Sequence, residues 1–189
     1  MSPIERETRK RPGRLSTRMT GEDVADADAT DPEATEGRFL VTHADDDSAV
    51  LKDVESGQVH TLAGNPGVEE HDALEATLAP EPPMEVTWRV LEVSDRRSLT
   101  VEASDEPPTA QEHEIAAAGS VGDLTRRERA GEGEIHVLTV PPEEVEAAVA
   151  DVIDDEGTLA RAARLGVARV EVRSATTDDH GVVSVRYMP

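Results

Sequence analysis

A histidine followed closely by carboxylates is raw material for metal binding or acid–base work. The stretch "THADDDSAVL", residues 42–51, places His43 two positions before Asp45, Asp46 and Asp47. Such a set would suit a metal-assisted hydrolase, but the spacing argues against it. Neighbouring residues of an extended segment point to opposite sides, so three consecutive aspartates do not converge on one ion. A calcium loop needs alternate acids, a glycine and a distal glutamate. Aspartate also bonds its own backbone in tight turns. The stretch is expected to be a turn between two strands, with no metal.

The other histidines are 60, 71, 113, 136 and 180. Five of the six histidines have an acid within two positions, yet in a chain this rich in acids about four would do so by chance. No HxH, HExxH or HxxxH spacing occurs, so the zinc-hydrolase patterns are missing. His60 and His136 fall inside strands and read as structural. There is no GxGxxG, P-loop or GxSxG, and "GEGE" at 131–134 runs into a strand, not a helix. No cofactor and no convergent catalytic set is legible. The leading reading is therefore a non-enzymatic binding or adaptor protein with an unidentified protein partner.

Arginines offer the alternative. "LTRRERAGEGEIHVL" clusters Arg126, Arg127 and Arg129, whose planar guanidiniums suit carboxylate or phosphate. Arg89, Arg96 and Arg97 form a weaker second patch. With these, the protein would be an RNA- or nucleoprotein-associated factor. The competing account pairs the cluster with Glu128, Glu132 and Glu134. Single-strand binding through stacking is disfavoured, because the chain has one Trp, one Tyr and one Phe. Trp88, in mid-strand, reads as core.

These residues need positioning elements. "RFLVTHA", "AVLKDV", "QVHTLA", "ALEATLA", "MEVTWRVLEV" and "SLTVEA" read as six short strands at hairpin spacing. They predict a small antiparallel β-barrel-like domain over 37–104. A helical connector over 105–133 is expected next: Thr109 and Glu112 form a capping box, Gly119 ends that helix, and a second short helix ends at Gly131. Residues 134–189 then predict an α+β domain. "EIHVLTV", "VARVEVR" and "VVSVRYM" supply a three-stranded sheet, covered by helices from "PPEEVEAAVADVI" and "TLARAARLG". The fold class is α+β.

Composition sets the environment. With 41 Asp+Glu against 19 Lys+Arg the net charge is −22, and only Lys10 and Lys52 are lysines. At molar salt the Debye length falls to about 3 Å, which screens such self-repulsion. A lysine-poor carboxylate coat is read as salt adaptation around a thin core of valine and alanine. The chain has no cysteine and no apolar run of membrane-spanning length, so neither a disulfide framework nor a membrane partner is expected. Residues 1–36 read as a disordered tail whose sign switches from basic to acidic at Met19. Residues 1–18 are expected to precede a true start at Met19.

The peptides "FLVTHADDDSAVLKDVESGQVHTLAGNPG", "PEPPMEVTWRVLEV", "LTRRERAGEGEIHVLTVPPEE", "ARAARLGVARVEV" and "VSVRYMP" resemble those of a haloarchaeal family of uncharacterised proteins. The resemblance covers about residues 37–189. It implies a haloarchaeal, cytoplasmic protein and carries no activity, ligand or catalytic residue with it.

Overall fold

The computed structural model describes residues 33–189 other than Glu85. The tail and the Met19 start fall almost wholly on residues 1–32, outside the described residues. Strand β1 (Thr35–Ala44) begins two residues inside the expected tail. It is followed by β2 (Ala49–Asp53), β3 (Val59–Thr61), β4 (Asp72–Pro80) and β5 (Trp88–Ser98). These five form an antiparallel sheet in the order β3-β2-β1-β4-β5. On β1, Phe39 and Val41 face one core cluster while Leu40 faces another, so the strand is covered on both sides.

That sheet rolls but does not become a barrel. Pairing slips once between β1 and β2 and twice between β4 and β5, and such irregularities bend a strand and tighten its twist. The curl brings the two edges together at one bridge, Leu62 to Trp88, where the Ala63 amide donates to the Trp88 carbonyl at 2.9 Å. Phe39, Val41, Leu51, Leu62, Leu74 and Leu78 fill the interior. The expected barrel is corrected to an open rolled sheet because its sixth strand is spent elsewhere. β6 (Thr100–Ala103) pairs in parallel with β9 (Arg169–Thr176) in a second sheet.

This second sheet has five strands, not three, in the order β6-β9-β10-β8-β7. Its other members are β7 (Leu124–Glu128), β8 (Glu134–Val140) and β10 (Gly181–Met188). β7 replaces the second connector helix. Gly131, taken as a helix terminus in the sequence, lies at φ 100° and Gly133 at φ 97°. Two left-handed glycines make a hairpin turn, which pairs "LTRRE" with β8. A Cβ on Gly133 would lie 2.1 Å from the Tyr187 carbonyl oxygen, so only glycine fits there.

α1 (Ala110–Ala118) covers one face of the second sheet, and α2 (Val145–Asp154) and α3 (Glu156–Leu165) cover the other. The capping box of α1 forms as expected: the Thr109 amide donates to Glu112 Oε2 at 2.5 Å, and the Glu112 amide to Thr109 Oγ1 at 3.4 Å. Glu112 also accepts from Ser184 Oγ at 2.8 Å, tying α1 to β10. A 3-10 turn over Pro142–Glu144 precedes α2. α3 starts on Asp155, whose carboxylate accepts from the Gly157 amide at 2.9 Å, and stops at Gly166 in the left-handed region.

α3 joins the two sheets. Its Ala162 and Ala163 are small enough to let the helix sit close, and they pack with Leu40 and Ala73 of the first sheet and Val170, Val185 and Tyr187 of the second. Each buried valine or leucine contributes about 1.5–3 kcal/mol relative to exposure, so this shared cluster is a substantial bond between the halves. Polar contacts reinforce it. The Arg164 guanidinium donates to the Val54 carbonyl at 2.5 and 3.1 Å, and Arg38 donates to the Arg164 carbonyl at 2.9 Å. Among the described residues, no helix is long and apolar enough to cross a membrane.

Candidate functional site

The opening stretch is a hairpin turn between β1 and β2. Asp45 turns its carboxylate onto its own loop, accepting from the Asp47 amide at 2.9 Å, the Ser48 amide at 2.6 Å and the Ser48 hydroxyl at 3.3 Å. The Asp47 and Ser48 amides hold its pKa below the ordinary aspartate value. His43 stands 3.8 Å from Asp45 with both side chains more than half exposed. Asp46 and Asp47 are exposed.

The weaker arginine patch is distributed along β5. Arg96 sits 2.6 Å from buried Asp72 and donates to the Gly67 carbonyl at 2.7 Å. Arg97 meets Asp95 at 2.8 Å, and Arg89 meets Glu81 at 3.6 Å. Each thus faces a local carboxylate. Trp88 is half-buried, edge-on to His60 at 4.4 Å between ring centroids.

The main arginine cluster divides. β7 is an edge strand with side chains alternating between faces, so Arg127 lies with Thr125 near α1 while Arg126 lies with Leu124 towards α3. Arg127 donates to the Arg126 carbonyl at 2.9 Å, and Arg129 to the Glu132 carbonyl at 3.3 Å. The expected pairing with Glu134 is taken by another residue. Arg161 of α3 grips Glu134 with two bonds, Nη2 to Oε1 at 2.5 Å and Nε to Oε2 at 3.2 Å. No acceptor for the Arg126 guanidinium is found among the described residues.

Arg126 lies over a cleft of about 340 Å³ between the second sheet and α3. Leu138, Val185 and Tyr187 make an apolar floor, and His136, Thr158, Arg161 and Arg164 stand around it. The three guanidiniums come from β7 and α3, and the histidine from β8 opposite Arg126 in register. His136 is buried and packs on Tyr187 at 4.8 Å between centroids. Burial pushes its pKa below the ordinary histidine value, Arg126 and Arg161 add to that, and Glu134 opposes it. A neutral imidazole beside a carboxylate carries its proton on Nε2, so Nε2 donates to Glu134 Oε2 at 2.9 Å. The bonds from Arg161 hold the Glu134 carboxyl below its ordinary value.

Commitments inside the cleft decide what it can do. The start of α3 is already capped by Asp155, Arg161 is held by Glu134, and Arg164 by the Val54 carbonyl. Among the described residues, Arg126 remains as the uncommitted guanidinium above an apolar floor. That arrangement can hold one anionic group whose apolar stem enters the cleft. The sequence singles out Arg126, whereas Arg161 and Arg164 read only as helix and His136 reads as structural. The available signal was Thr158, Arg161 and Arg164 recurring every three residues along a helix that should bury that side.

No curated protein and no solved structure matches this chain. A family model does match, over residues 35–174, which include the first sheet, the whole of α3 and the second sheet up to β9 but not β10, and the chain therefore belongs to that family of unknown function, DUF5812.

Proposed function

We propose that this protein is a non-enzymatic binding module that holds an anionic group of a partner in the cleft between the second sheet and α3. The observation that carries the reading is Arg126, a guanidinium without an acceptor among the described residues, where Arg161 and Arg164 are both engaged. A guanidinium bonds a carboxylate or phosphate in a planar, paired geometry, and the floor of Leu138, Val185 and Tyr187 favours a ligand with an apolar stem. A carboxylate on a short aliphatic chain fits this better than a phosphate backbone. Arg126 and Arg127 lie on opposite faces of the sheet, which leaves RNA no continuous basic track.

The setting we propose is a cytoplasm at high salt. The −22 charge and the two lysines support it, as does the resemblance to haloarchaeal proteins. Under those conditions long-range repulsion of an anionic ligand by the acidic coat is screened within about 3 Å, and short-range bonding in the cleft decides affinity.

The test is a titration with N-acetylglutamate amide in molar potassium chloride, read by NMR at the ring protons of His136. A saturable shift that disappears in Arg126→Gln is expected. An unmoved His136 signal, or the same affinity in Arg126→Gln, refutes the reading.

A further inference from the structure

β7 ends the second sheet, and the hydrogen-bonding phase along it is fixed at both ends. The Thr139 amide donates to the Asp123 carbonyl and the Arg129 amide to the Gly133 carbonyl. In an antiparallel pair the residues facing the partner alternate. Odd-numbered residues therefore bond β8, and Leu124, Arg126 and Glu128 turn their backbone groups outward. All three are exposed, Leu124 to 47%. Among the described residues, the Arg126 carbonyl is bridged only by the side chain of Arg127, at 2.9 Å.

Unpaired edges invite added strands, and charge on an edge guards against indiscriminate pairing. At the centre of the edge the guard is positive, with Arg126 on the cleft face and Arg127 on the α1 face, while Glu128 stands at the strand's end and Asp123 before its start. A positive guard selects a negative strand.

We propose that the outer edge of β7 accepts an extended acidic segment of a partner protein as an additional strand of the second sheet. The inference rests on the cleft reading and identifies the anion: it is a glutamate or aspartate side chain of that segment, lowered onto Arg126. Because side chains of the added strand alternate between faces, a carboxylate two residues away from the first also reaches the cleft side. The intervening position lies opposite Arg127, which swings off the Arg126 carbonyl to meet it. Main-chain bonds supply affinity and the two arginines supply selectivity, the division seen in strand-addition recognition. A second copy of this chain fits poorly, because pairing β7 with itself sets arginine against arginine, and like charges directly opposite are unfavourable.

The probe is a fluorescein-labelled octapeptide of alternating threonine and glutamate, with fluorescence anisotropy read in molar potassium chloride. Two versions are N-methylated on one or the other alternating set of amides. Glu128→Pro serves as the protein variant, since its amide faces outward and proline is tolerated at such edge positions. The unmodified peptide is expected to bind, one methylated version to lose at least tenfold in affinity, and Glu128→Pro to lose a similar factor. Glu128→Pro should still give the His136 shift with N-acetylglutamate amide. Equal binding of all three peptides overturns the proposal without needing the variant to fold. If N-acetylglutamate amide binds and the peptide does not, strand addition fails while the cleft reading stands. If the peptide binds with His136 unmoved by either probe, the cleft reading fails and with it the assigned anion. A wild-type dimer in sedimentation that Glu128→Pro dissociates gives the edge to a second copy and also overturns the proposal.

Discussion

His60 should cost this protein stability in acid, by an amount the surroundings of its ring set. The residue is 1% exposed on β3, with Phe39 edge-on at 5.6 Å and Trp88 at 4.4 Å. Neither ring nitrogen has a hydrogen-bond partner among the described residues. Burial drives its pKa below the ordinary value, and the Asp53 charge opposes this. The folded state thus keeps the ring neutral where the unfolded chain, titrating near 6.5, takes up a proton. Stability from this group is intact above about pH 6.5 and falls as the pH drops from there towards the depressed folded value. The loss at pH 5.5 is at most about 1.4 kcal/mol, the limit reached when the folded ring binds no proton there. His60→Leu removes both orphaned nitrogens with little change of volume, so at pH 7.5 its stability should lie within about 1 kcal/mol of wild type. The gap should then widen in favour of the variant as the pH falls, by up to about 1.4 kcal/mol at pH 5.5. Urea denaturation in molar potassium chloride, followed by the fluorescence of Trp88, measures both proteins. His136 also has a depressed pKa and titrates in both, so the difference isolates His60. Parallel stability curves between pH 7.5 and 5.5 would refute the reasoning.

Arg164→Ala strips the Val54 carbonyl of its donors and loosens the seam between α3 and the first sheet; a loss of about 1–3 kcal/mol by urea denaturation is expected. Arg126→Ala should change stability by less than about 0.5 kcal/mol. Gly133→Ala forces a Cβ against the Tyr187 carbonyl at a left-handed φ. A loss of at least about 1–3 kcal/mol follows, with amide exchange in β7 accelerating before that in β10. Raising potassium chloride from about 0.2 to 3 M should raise the unfolding midpoint of wild type, as the Debye length shrinks from about 7 to under 2–3 Å; a flat response contradicts a coat adapted to salt.

Local signals made several elements legible. Alternation marks β1, β4, β9 and β10, and the capping box at Thr109 and Glu112 marks α1. What escaped was decided at long range. "SLTVEA" has the texture of a hairpin strand, yet its partner is β9, some seventy residues on, and nothing local names that partner. "LTRRE" carries too little apolar patterning to distinguish strand from helix, and pairing with β8 settles it. The cleft was half legible for the same reason. Arg126 stands out in an acid-rich chain, while Arg161 gains meaning only when α3 folds over Glu134. His60 shows the reverse case: "structural" was right in location, but its unsatisfied nitrogens are visible only in three dimensions.

The chain's passage from β5 through Leu99 into β6 has an architectural consequence. A polypeptide cut after residue 104 would carry a strand whose parallel partner, β9, is missing, and the remainder would lack the outermost strand of its own sheet. Leu40 and Ala73 would also lose the helix they rest on. Neither fragment is a natural unit for expression. Dissection of the molecule must proceed by point changes within the intact chain.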